Sequence, residues 1–488
     1  MNPNLSTMKR KKIIIVAILS ASVALSSCKK LLTVPETDLI AGETALSTVT
    51  FAEQAVIGIY AAMNVEMNIL LNSTFADEVA KSEFYNAVTT HEWQYGPADV
   101  GLRDNFTGIA IHYRIVNRAN VLLAALPSSD STKVGDEAKR IRLKGEALFL
   151  RAYAHFEAFR YYCNNYDPTG LGMPYMEVSS LDPTPRIKMD VFFQKLNADL
   201  VAAKALVPNN FNDLDRVNRA MVSGLQARVA LYMKDWVAAE TYATEYINAV
   251  PLATMAEFPG IWTDANSAEQ AFRLKRTATI GGRIGSLFRG TSSSATGGGI
   301  GLVTWKPSEK LWSSYDQVND IRFAAYLKNE PILAGAGRPS RLIQKYAGTG
   351  YATPNENVAW GKVFRTGEAY LIRAEARAEQ NKYTGANSAE SDVNALRAAR
   401  IIGYVPVVFT SKQDAIDNIM LERFKELAFE GHRFFDLKRR SLPVTRLAAD
   451  APSAAGTTLP AGNFRFVLPI PLPEITTNPA MVQNPGYN

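Results

Sequence analysis

The sequence contains one helical pattern twice, and this repeat limits what the chain can fold into. Gly-Glu-Ala-x-x-x-Arg-Ala-x-Ala begins at Gly145, in GEALFLRAYA, and again at Gly367, in GEAYLIRAEA. The small residues fall on neighbouring turns of a helix, where short side chains let a second helix approach closely. The Leu and Tyr residues beside them can fill the flanks of such a contact. The repeat therefore predicts tightly packed pairs of helices.

Apolar residues recur at spacings of three and four through much of the chain, which predicts a mostly α-helical protein. Helices are expected at 51–64, 109–126, 136–162, 191–206, 218–233, 236–249, 367–380, 388–400 and 411–430. The segment SGLQARVALYMKDWVAAETYATEYI resembles a tetratricopeptide hairpin, a unit of about 34 residues. Such hairpins stack into a superhelix with one continuous core. The alternative is that ordinary amphipathic helices produced the two copies by chance.

Two segments lack this periodicity, at about 81–106 and 251–360, and the second includes the glycine- and serine-rich run GGRIGSLFRGTSSSATGGGIG. Long irregular stretches on a regular scaffold commonly carry function, so ligand-binding residues are expected there. The predicted organisation is a single domain over 28–488. It has a helical scaffold at about 45–250 and 361–440, a loop-rich insertion at about 251–360 and an extended tail at 441–488.

The first 27 residues are predicted to be a lipoprotein signal peptide. Four basic residues at 9–12 precede an apolar run at 13–25 that is shorter than the roughly 20 residues needed to cross a bilayer. The ending Leu25-Ser26-Ser27-Cys28 resembles a bacterial lipobox. That resemblance implies cleavage before Cys28 and lipidation of its thiol.

Charge and cysteine content narrow the function further. Residues 1–27 contain four cations and no acid, which accounts for most of the net charge of +6 and leaves no basic surface for nucleic acid to bind. The two cysteines are Cys28 and Cys163. With Cys28 lipidated, Cys163 has no disulfide partner, and it is expected to be a core residue.

The stretch ERFKELAFEGHRFFDLKRR, at 422–440, is either a catalytic cluster or a structural one. Ser411 is expected to cap the start of the preceding helix, and Gly431 to end it in a left-handed conformation. Glu430 and His432 would then flank a helix terminus among several arginines. A general acid or base needs a partner in a cleft, whereas charges at this spacing more often pair to join elements. The stretch is therefore predicted to be structural.

Three motifs resemble one known family. RFKELAFEGHRFFDLKR is similar to the C-terminal signature of the SusD/RagB family of nutrient-binding outer-membrane lipoproteins, and the tail LPIPLPEITTNPAMVQNPGYN is similar to that family's ending. GEALFLRAYAHFEAFRYY resembles its first long-helix motif. With the lipobox, the resemblance spans nearly all of the chain after residue 27.

This resemblance implies a SusD-like α superhelix of tetratricopeptide-like hairpins with an irregular, loop-rich ligand-binding half. It also implies a TonB-dependent (SusC-like) transporter barrel as partner, on which the lipoprotein acts as a lid that captures an oligosaccharide or another polymer fragment, such as a peptide. The expected location is the outer membrane, lipid-anchored and facing the exterior. No catalysis, cofactor or metal is implied. In the family, acidic residues that signal surface export commonly follow the lipidated cysteine, whereas Lys29 and Lys30 follow it here.

Flat aromatic rings can cover the apolar C–H faces of sugars, so aromatic residues in the irregular segments are candidate ligand contacts. The predicted binding residues are Tyr85, Trp93, Tyr95, Trp305 and Tyr315, with Asp77 and Arg103 as polar contacts. Glu83 and Asp104 are further candidates for bonds to sugar hydroxyls. Trp312 lies at helical spacing and is expected in the core.

Two other functions remain open from the sequence, a glycoside hydrolase and a tetratricopeptide scaffold that grips a protein partner. A hydrolase needs two opposed carboxylates, which the sequence alone does not exclude. The chain contains no GxSxG, HExxH, P-loop or strand-linked GxGxxG motif, and its four histidines are widely scattered. No catalytic residue and no metal ligand is therefore predicted, and the protein is expected not to be an enzyme.

Overall fold

Amphipathic helices form most of the structure, as the apolar spacing predicts. A computed structural model of the protein describes residues 45–279 and 282–487. The helices are α1 (Val49–Ala61), α2 (Val65–Phe75), α3 (Val88–His91), α4 (Val100–Asn105), α5 (Gly108–Ala125), α6 (Asp136–Tyr162), α7 (Met189–Leu206), α8 (Arg219–Met233), α9 (Trp236–Ala249), α10 (Phe258–Trp262), α11 (Glu309–Trp312), α12 (Ile321–Tyr326), α13 (Pro331–Gly335), α14 (Thr366–Glu379), α15 (Ala389–Ala398), α16 (Lys412–Glu426), α17 (Arg433–Arg439) and α18 (Leu472–Thr477). The predicted signal peptide and Cys28 lie outside the described residues.

The β-structure of the described residues consists of short two-stranded antiparallel ribbons. The strands are β1 (Val79–Lys81), β2 (Arg273–Leu274), β3 (Trp305–Pro307), β4 (Leu327–Asn329), β5 (Arg341–Ile343), β6 (Gly361–Lys362), β7 (Val444–Thr445) and β8 (Thr458–Leu459). β1 pairs with β3, β2 with β6, β4 with β5 and β7 with β8. The β1–β3 ribbon joins the irregular segment near residue 81 to the loop-rich insertion, because it places Lys81 opposite Trp305.

Consecutive scaffold helices pack together as hairpins. α5 packs on α6, α6 on α7, α8 on α9, and α14 on both α15 and α16. α9 also packs on α14, so the two parts of the scaffold meet although the loop-rich insertion separates them in sequence. The prediction of a mostly α-helical protein built from tetratricopeptide-like hairpins is confirmed.

The two repeat glycines lie at close contacts between elements. A Cβ atom on Gly145 would lie 2.8 Å from Leu206 Cβ, where α6 crosses the end of α7. A Cβ atom on Gly367 would lie 2.5 Å from a carboxylate oxygen of Glu426, where α14 meets α16. Both distances are too short for a side chain, so the prediction that the repeat permits close packing is confirmed.

The repeat arginines have equivalent roles that the sequence did not reveal. Arg151 on α6 donates to Asp199 on α7 at 2.6 and 2.7 Å. Arg373 on α14 donates to Asp392 on α15 at 2.7 Å. Each copy of the pattern therefore contributes a small residue for close approach and a charge-assisted hydrogen bond to the following helix.

The signature stretch at 422–440 lies in the core, where it forms a network of ion pairs. A single carboxylate, that of Glu426, accepts from Arg365 at 2.9 Å and from Arg322 and Arg400 at 3.1 Å. All four side chains are buried. The three arginines come from α12, from the start of α14 and from the chain after α15, so this carboxylate joins the insertion to the second part of the scaffold, at 361–440.

Flanking carboxylates of α16 and the turn after it extend the network. Glu422 pairs with Arg322 at 2.5 Å and Arg397 at 2.6 Å, and Glu430 pairs with Arg365 and Lys345 at 2.7 Å each. Burial alone would raise the pKa of Glu422, but these guanidinium groups outweigh it and lower the pKa to about 2.

The end of the α16 helix differs from the sequence prediction. The helix was expected to continue to residue 430 and to end in a left-handed Gly431. It ends at Glu426 instead. Phe429 and Gly431 both adopt positive φ, at 62° and 83°, so the backbone reverses twice within this turn. The reversal brings the Glu430 side chain to Arg365, which the regular spacing of a helix did not predict.

The buried side chain of His432 supports a structural role for the stretch at 422–440. Burial first, and then the nearby Arg228 charge, lower the pKa of His432 well below its ordinary value, so the ring is neutral.

Cys163 is a buried free cysteine, and burial raises the pKa of its thiol. The prediction that Cys163 is a core residue is confirmed.

We expect Glu426→Gln to lower the free energy of unfolding by about 3–5 kcal/mol, because it removes the charge that three buried arginines share. Urea denaturation measures this loss. The matched control is Glu177→Gln, which breaks an exposed pair with Lys195 and should cost at most about 1 kcal/mol. Equal losses in the two variants would contradict a dominant role for the buried network.

Candidate functional site

The loop-rich insertion contains a cavity of about 510 Å³. Its walls come from the 259–263 region around α10, from 317–328 around α12, and from the turn at 344–351, with Arg289 completing one side. Every residue that lines it falls within 251–360. The volume lies in the range of about 300–1,000 Å³ that is usual for small-molecule sites. We therefore take this cavity as the candidate site.

Trp262 borders the cavity at the end of α10 but is only 3% exposed, so it supports the wall and offers little open ring face. Lys345 Nζ lies 4.1 Å and Arg365 Cζ 5.1 Å from its ring, so cations of the buried network hold the indole in place. Its Nε1–H has no acceptor among the described residues. An unsatisfied buried donor costs roughly 1–3 kcal/mol, so an acceptor entering beside it would recover free energy.

Tyr351 also lines the cavity, on a turn that requires glycine. Gly348 has φ of +76°, and a Cβ atom there would lie 1.9 Å from Asn355 O. The Tyr351 ring lies 5.2 Å from Arg289 Cζ and 5.0 Å from Lys328 Nζ. Its hydroxyl donates to Glu330 at 2.5 Å, and burial together with this carboxylate raises its pKa. The ring is therefore fixed in position.

The charged groups around the cavity are neutralised by one another. Lys328 pairs with Glu330 at 2.8 Å, and Arg289 pairs with the Glu356 carboxylate at 2.7 Å. The carboxylate of Asp320 is occupied by Arg322, also at 2.8 Å. The remaining polar lining consists of uncharged groups, namely Thr263, Gln317, Gln344 and Thr349. The cavity thus combines an aromatic side with neutral hydrogen-bonding groups.

Four aromatic residues predicted to contact ligand are core residues instead. Trp93, Tyr95, Trp305 and Tyr315 are each at most 6% exposed. Trp93 Nε1 donates to Phe75 O at 2.9 Å, and Arg446 Cζ lies 4.3 Å from its ring. A ring covered in this way offers no face to a sugar, so the structure corrects these four assignments. The expectation that Trp312 is a core residue is confirmed, since it is 7% exposed.

The predicted polar contacts also have other roles. Asp77 is buried and accepts from Arg433 at 2.7 and 2.9 Å and from Lys310 at 2.7 Å. Burial alone would raise its pKa, but the Arg433 and Lys310 charges outweigh this and hold it well below its usual range. Asp77 is therefore a structural carboxylate, which corrects its assignment as a ligand contact.

Tyr85 and Arg103 remain accessible but do not line the cavity. Tyr85 is half-buried and donates to Glu92 at 3.0 Å. Arg103 is exposed and pairs with Asp104 at 2.8 Å. Their roles in ligand binding remain predictions for a separate surface.

Glu83 holds the glycine-rich loop, defined here as residues 290–301. It accepts from Arg338 at 2.5 and 2.8 Å and from Val303 N at 2.6 Å. Arg338 in turn donates to Ile300 O at 2.8 Å and Gly301 O at 3.0 Å. One carboxylate thus fastens the end of this loop to the first irregular segment.

Comparison with known proteins shows where the chain belongs. A family model described as "SusD family" matches residues 305–487, and one described as "Starch-binding associating with outer membrane" matches residues 36–231. The chain belongs to the SusD/RagB family. The second model covers most of the first part of the scaffold, and the first covers the second part together with the cavity residues at 317–351. The description of the second model associates the family with the outer membrane.

Individual proteins of known sequence or structure match this chain over 90% or more of its length. SusD-like protein P2 of Formosa agariphila is 25% identical, over 98% of this chain and 100% of its own. A SusD superfamily protein from Bacteroides vulgatus ATCC 8482 has a solved structure with a TM-score of 0.77 and 24% identity, covering 90% of this chain and 99% of its own. A structure described as a laminarin-binding SusD-like protein has a TM-score of 0.71 and 20% identity, covering 90% and 100%.

We expect Glu83→Gln to speed amide hydrogen exchange in residues 290–301, because the neutral amide weakens the pairing with Arg338 that holds this loop. Hydrogen exchange with mass spectrometry measures the change segment by segment. Glu309→Gln, which loosens a more exposed pair with Arg341, is the control and should leave this segment unchanged. Unchanged exchange in Glu83→Gln would show that the loop is held by other contacts.

Proposed function

We propose that this protein is a cell-surface lipoprotein that captures an oligosaccharide and delivers it to a TonB-dependent transporter of the SusC type in the outer membrane. The observation that carries the proposal is the cavity beside Trp262 and Tyr351, whose lining combines the partly exposed Tyr351 ring with neutral hydrogen-bonding groups. Sugars present apolar C–H faces and many hydroxyls, and this lining complements both. The laminarin-binding relative supports a glycan as the ligand.

The chemistry of the cavity supports binding rather than hydrolysis. A glycoside hydrolase needs two carboxyl groups across the scissile bond, one of them with a raised pKa so that it can donate a proton. Asp320 is the acid among the described lining residues, and its carboxylate is held by Arg322. For the adjacent Glu330 and Glu356, burial alone would raise the pKa, but their bonds to Lys328 and Arg289 lower it. Neither adjacent acid is suited to donate a proton.

The anchor and the transporter partner belong to the same proposal. The lipobox at Leu25–Cys28 supports a lipid-anchored chain, and the family model that describes outer-membrane association supports its location. Delivery to a partner barrel rests on membership of the SusD/RagB family.

We expect Tyr351→Ala to weaken oligosaccharide binding by about tenfold, because it removes the aromatic side of the cavity. A glycan array with the lipid-free protein identifies the ligand, and calorimetry measures the affinity. Val237→Ala, an exposed position on α9, should bind normally. Binding within twofold of the parent protein in Tyr351→Ala would mean that the ligand site lies elsewhere.

We expect Cys28→Ser to release the protein from the outer-membrane fraction, because a serine cannot receive the thioether-linked lipid. Fractionation and immunoblotting of cells that express each form measure the distribution. A variant in which Ser6, within the signal peptide, is replaced by Ala is the control and should stay membrane-bound. A Cys28→Ser protein that still fractionates with the outer membrane would refute the lipid anchor.

A further inference from the structure

A second, shallower depression of about 530 Å³ lies beside the cavity. The turn at 347–356 separates them, since residues up to Tyr351 line the cavity while Ala352, Thr353 and Glu356 line the depression. The far side of the depression is formed by Arg283 and Ser286 and by residues 290–292, at the start of the glycine-rich loop. A chain-like ligand in the cavity could therefore continue into it across this turn.

Arg283 gives the depression an unbalanced positive charge. Its Nη1 donates to the backbone carbonyl of Glu356 at 2.7 Å. No carboxylate among residues 45–279 and 282–487 forms an ion pair with it. This differs from the cavity, where Lys328 and Arg289 each have a carboxylate partner.

The nearby carboxylates do not balance this charge. The Glu356 carboxylate accepts from Arg289 at 2.7 Å and from the backbone N–H groups of Ser292 and Ala352 at 2.8 Å each. Glu66, which approaches the backbone at Gly282, is held by Arg276 at 2.8 Å. Both acids are already occupied, so the guanidinium of Arg283 keeps donor capacity for an external anion.

Hydroxyl groups line the same depression as Arg283. Ser286 and Thr291 are exposed, and both line the depression with Thr353. An arginine with hydroxyl groups nearby complements a carboxylate or a sulfate. The guanidinium can donate hydrogen bonds to two anionic oxygens at once, and the hydroxyls can donate to an anionic oxygen as well.

We propose that this depression binds the anionic group, a carboxylate or a sulfate ester, of an acidic sugar unit in the same oligosaccharide whose neutral part occupies the cavity. The inference rests on the proposed function, since it assigns the chemical class of the captured glycan. It makes the preferred ligand an acidic oligosaccharide rather than a neutral one.

The test uses the lipid-free protein on an array of neutral, uronate-containing and sulfated oligosaccharides, followed by calorimetry on the glycans that bind. We expect acidic glycans to bind most tightly, and their affinity to fall between about 50 and 300 mM NaCl as salt screens the contact with the partly exposed Arg283. Arg283→Gln should weaken acidic ligands by about tenfold and remove most of this salt dependence. The uronate and sulfate arms show which anion is recognised.

Arg114→Gln is the matched control, because it removes one exposed arginine on α5, away from the insertion. It should leave binding and its salt dependence unchanged. If only neutral glycans bind, or if Arg283→Gln weakens neutral and acidic glycans equally, this inference is overturned while the proposed function stands. If no oligosaccharide of any class binds, both proposals fail together.

Discussion

The fold depends on a set of buried charges that are paired with one another. Leaving any one of them unpaired would lower the stability of the fold by several kcal/mol. Transferring a carboxylate or a guanidinium into a protein interior costs several kcal/mol per ion, and only close pairing offsets it. Around Glu426, three buried arginines share one carboxylate, and Glu422, Glu430 and Glu269 supply the remaining negative charge. These contacts require the insertion and the second part of the scaffold to be in place together. The charged signature therefore specifies a tertiary arrangement rather than a reaction.

The same network supports the candidate site. Arg365 and Lys345 pair with Glu430 and also face the Trp262 ring, so the charges that join the elements also fix one wall of the cavity. On the other side, Tyr351 is held between Arg289 and Lys328, each of which is paired in turn with a glutamate. A wall fixed before the ligand arrives reduces the conformational entropy lost on binding. The cavity walls are thus held by ion pairs and cation–π contacts as well as by the short helices α10 and α12.

The helical scaffold could be predicted from the sequence because the residue patterns that specify it are local in the chain. Spacings of three and four, and the repeat at Gly145 and Gly367, describe contacts made within one or two helices. The binding residues could not be predicted in the same way. Trp93 and Tyr351 both lie among glycine and polar residues, so their sequence neighbourhoods are equivalent. What distinguishes them is distant in the chain, because Arg446 covers Trp93, whereas Tyr351 borders a cavity.

The shared carboxylate of Glu426 has a consequence for how such a chain can diversify. Replacing any one of its three arginine partners leaves an imbalance in the interior, so acceptable changes must arrive as compensating sets. The turn at 347–356 and the glycine-rich loop are under no such coupling across the core, apart from their glutamate anchors. Substitutions can therefore accumulate in this turn and this loop, which border the candidate site, while the buried ion-pair network is kept.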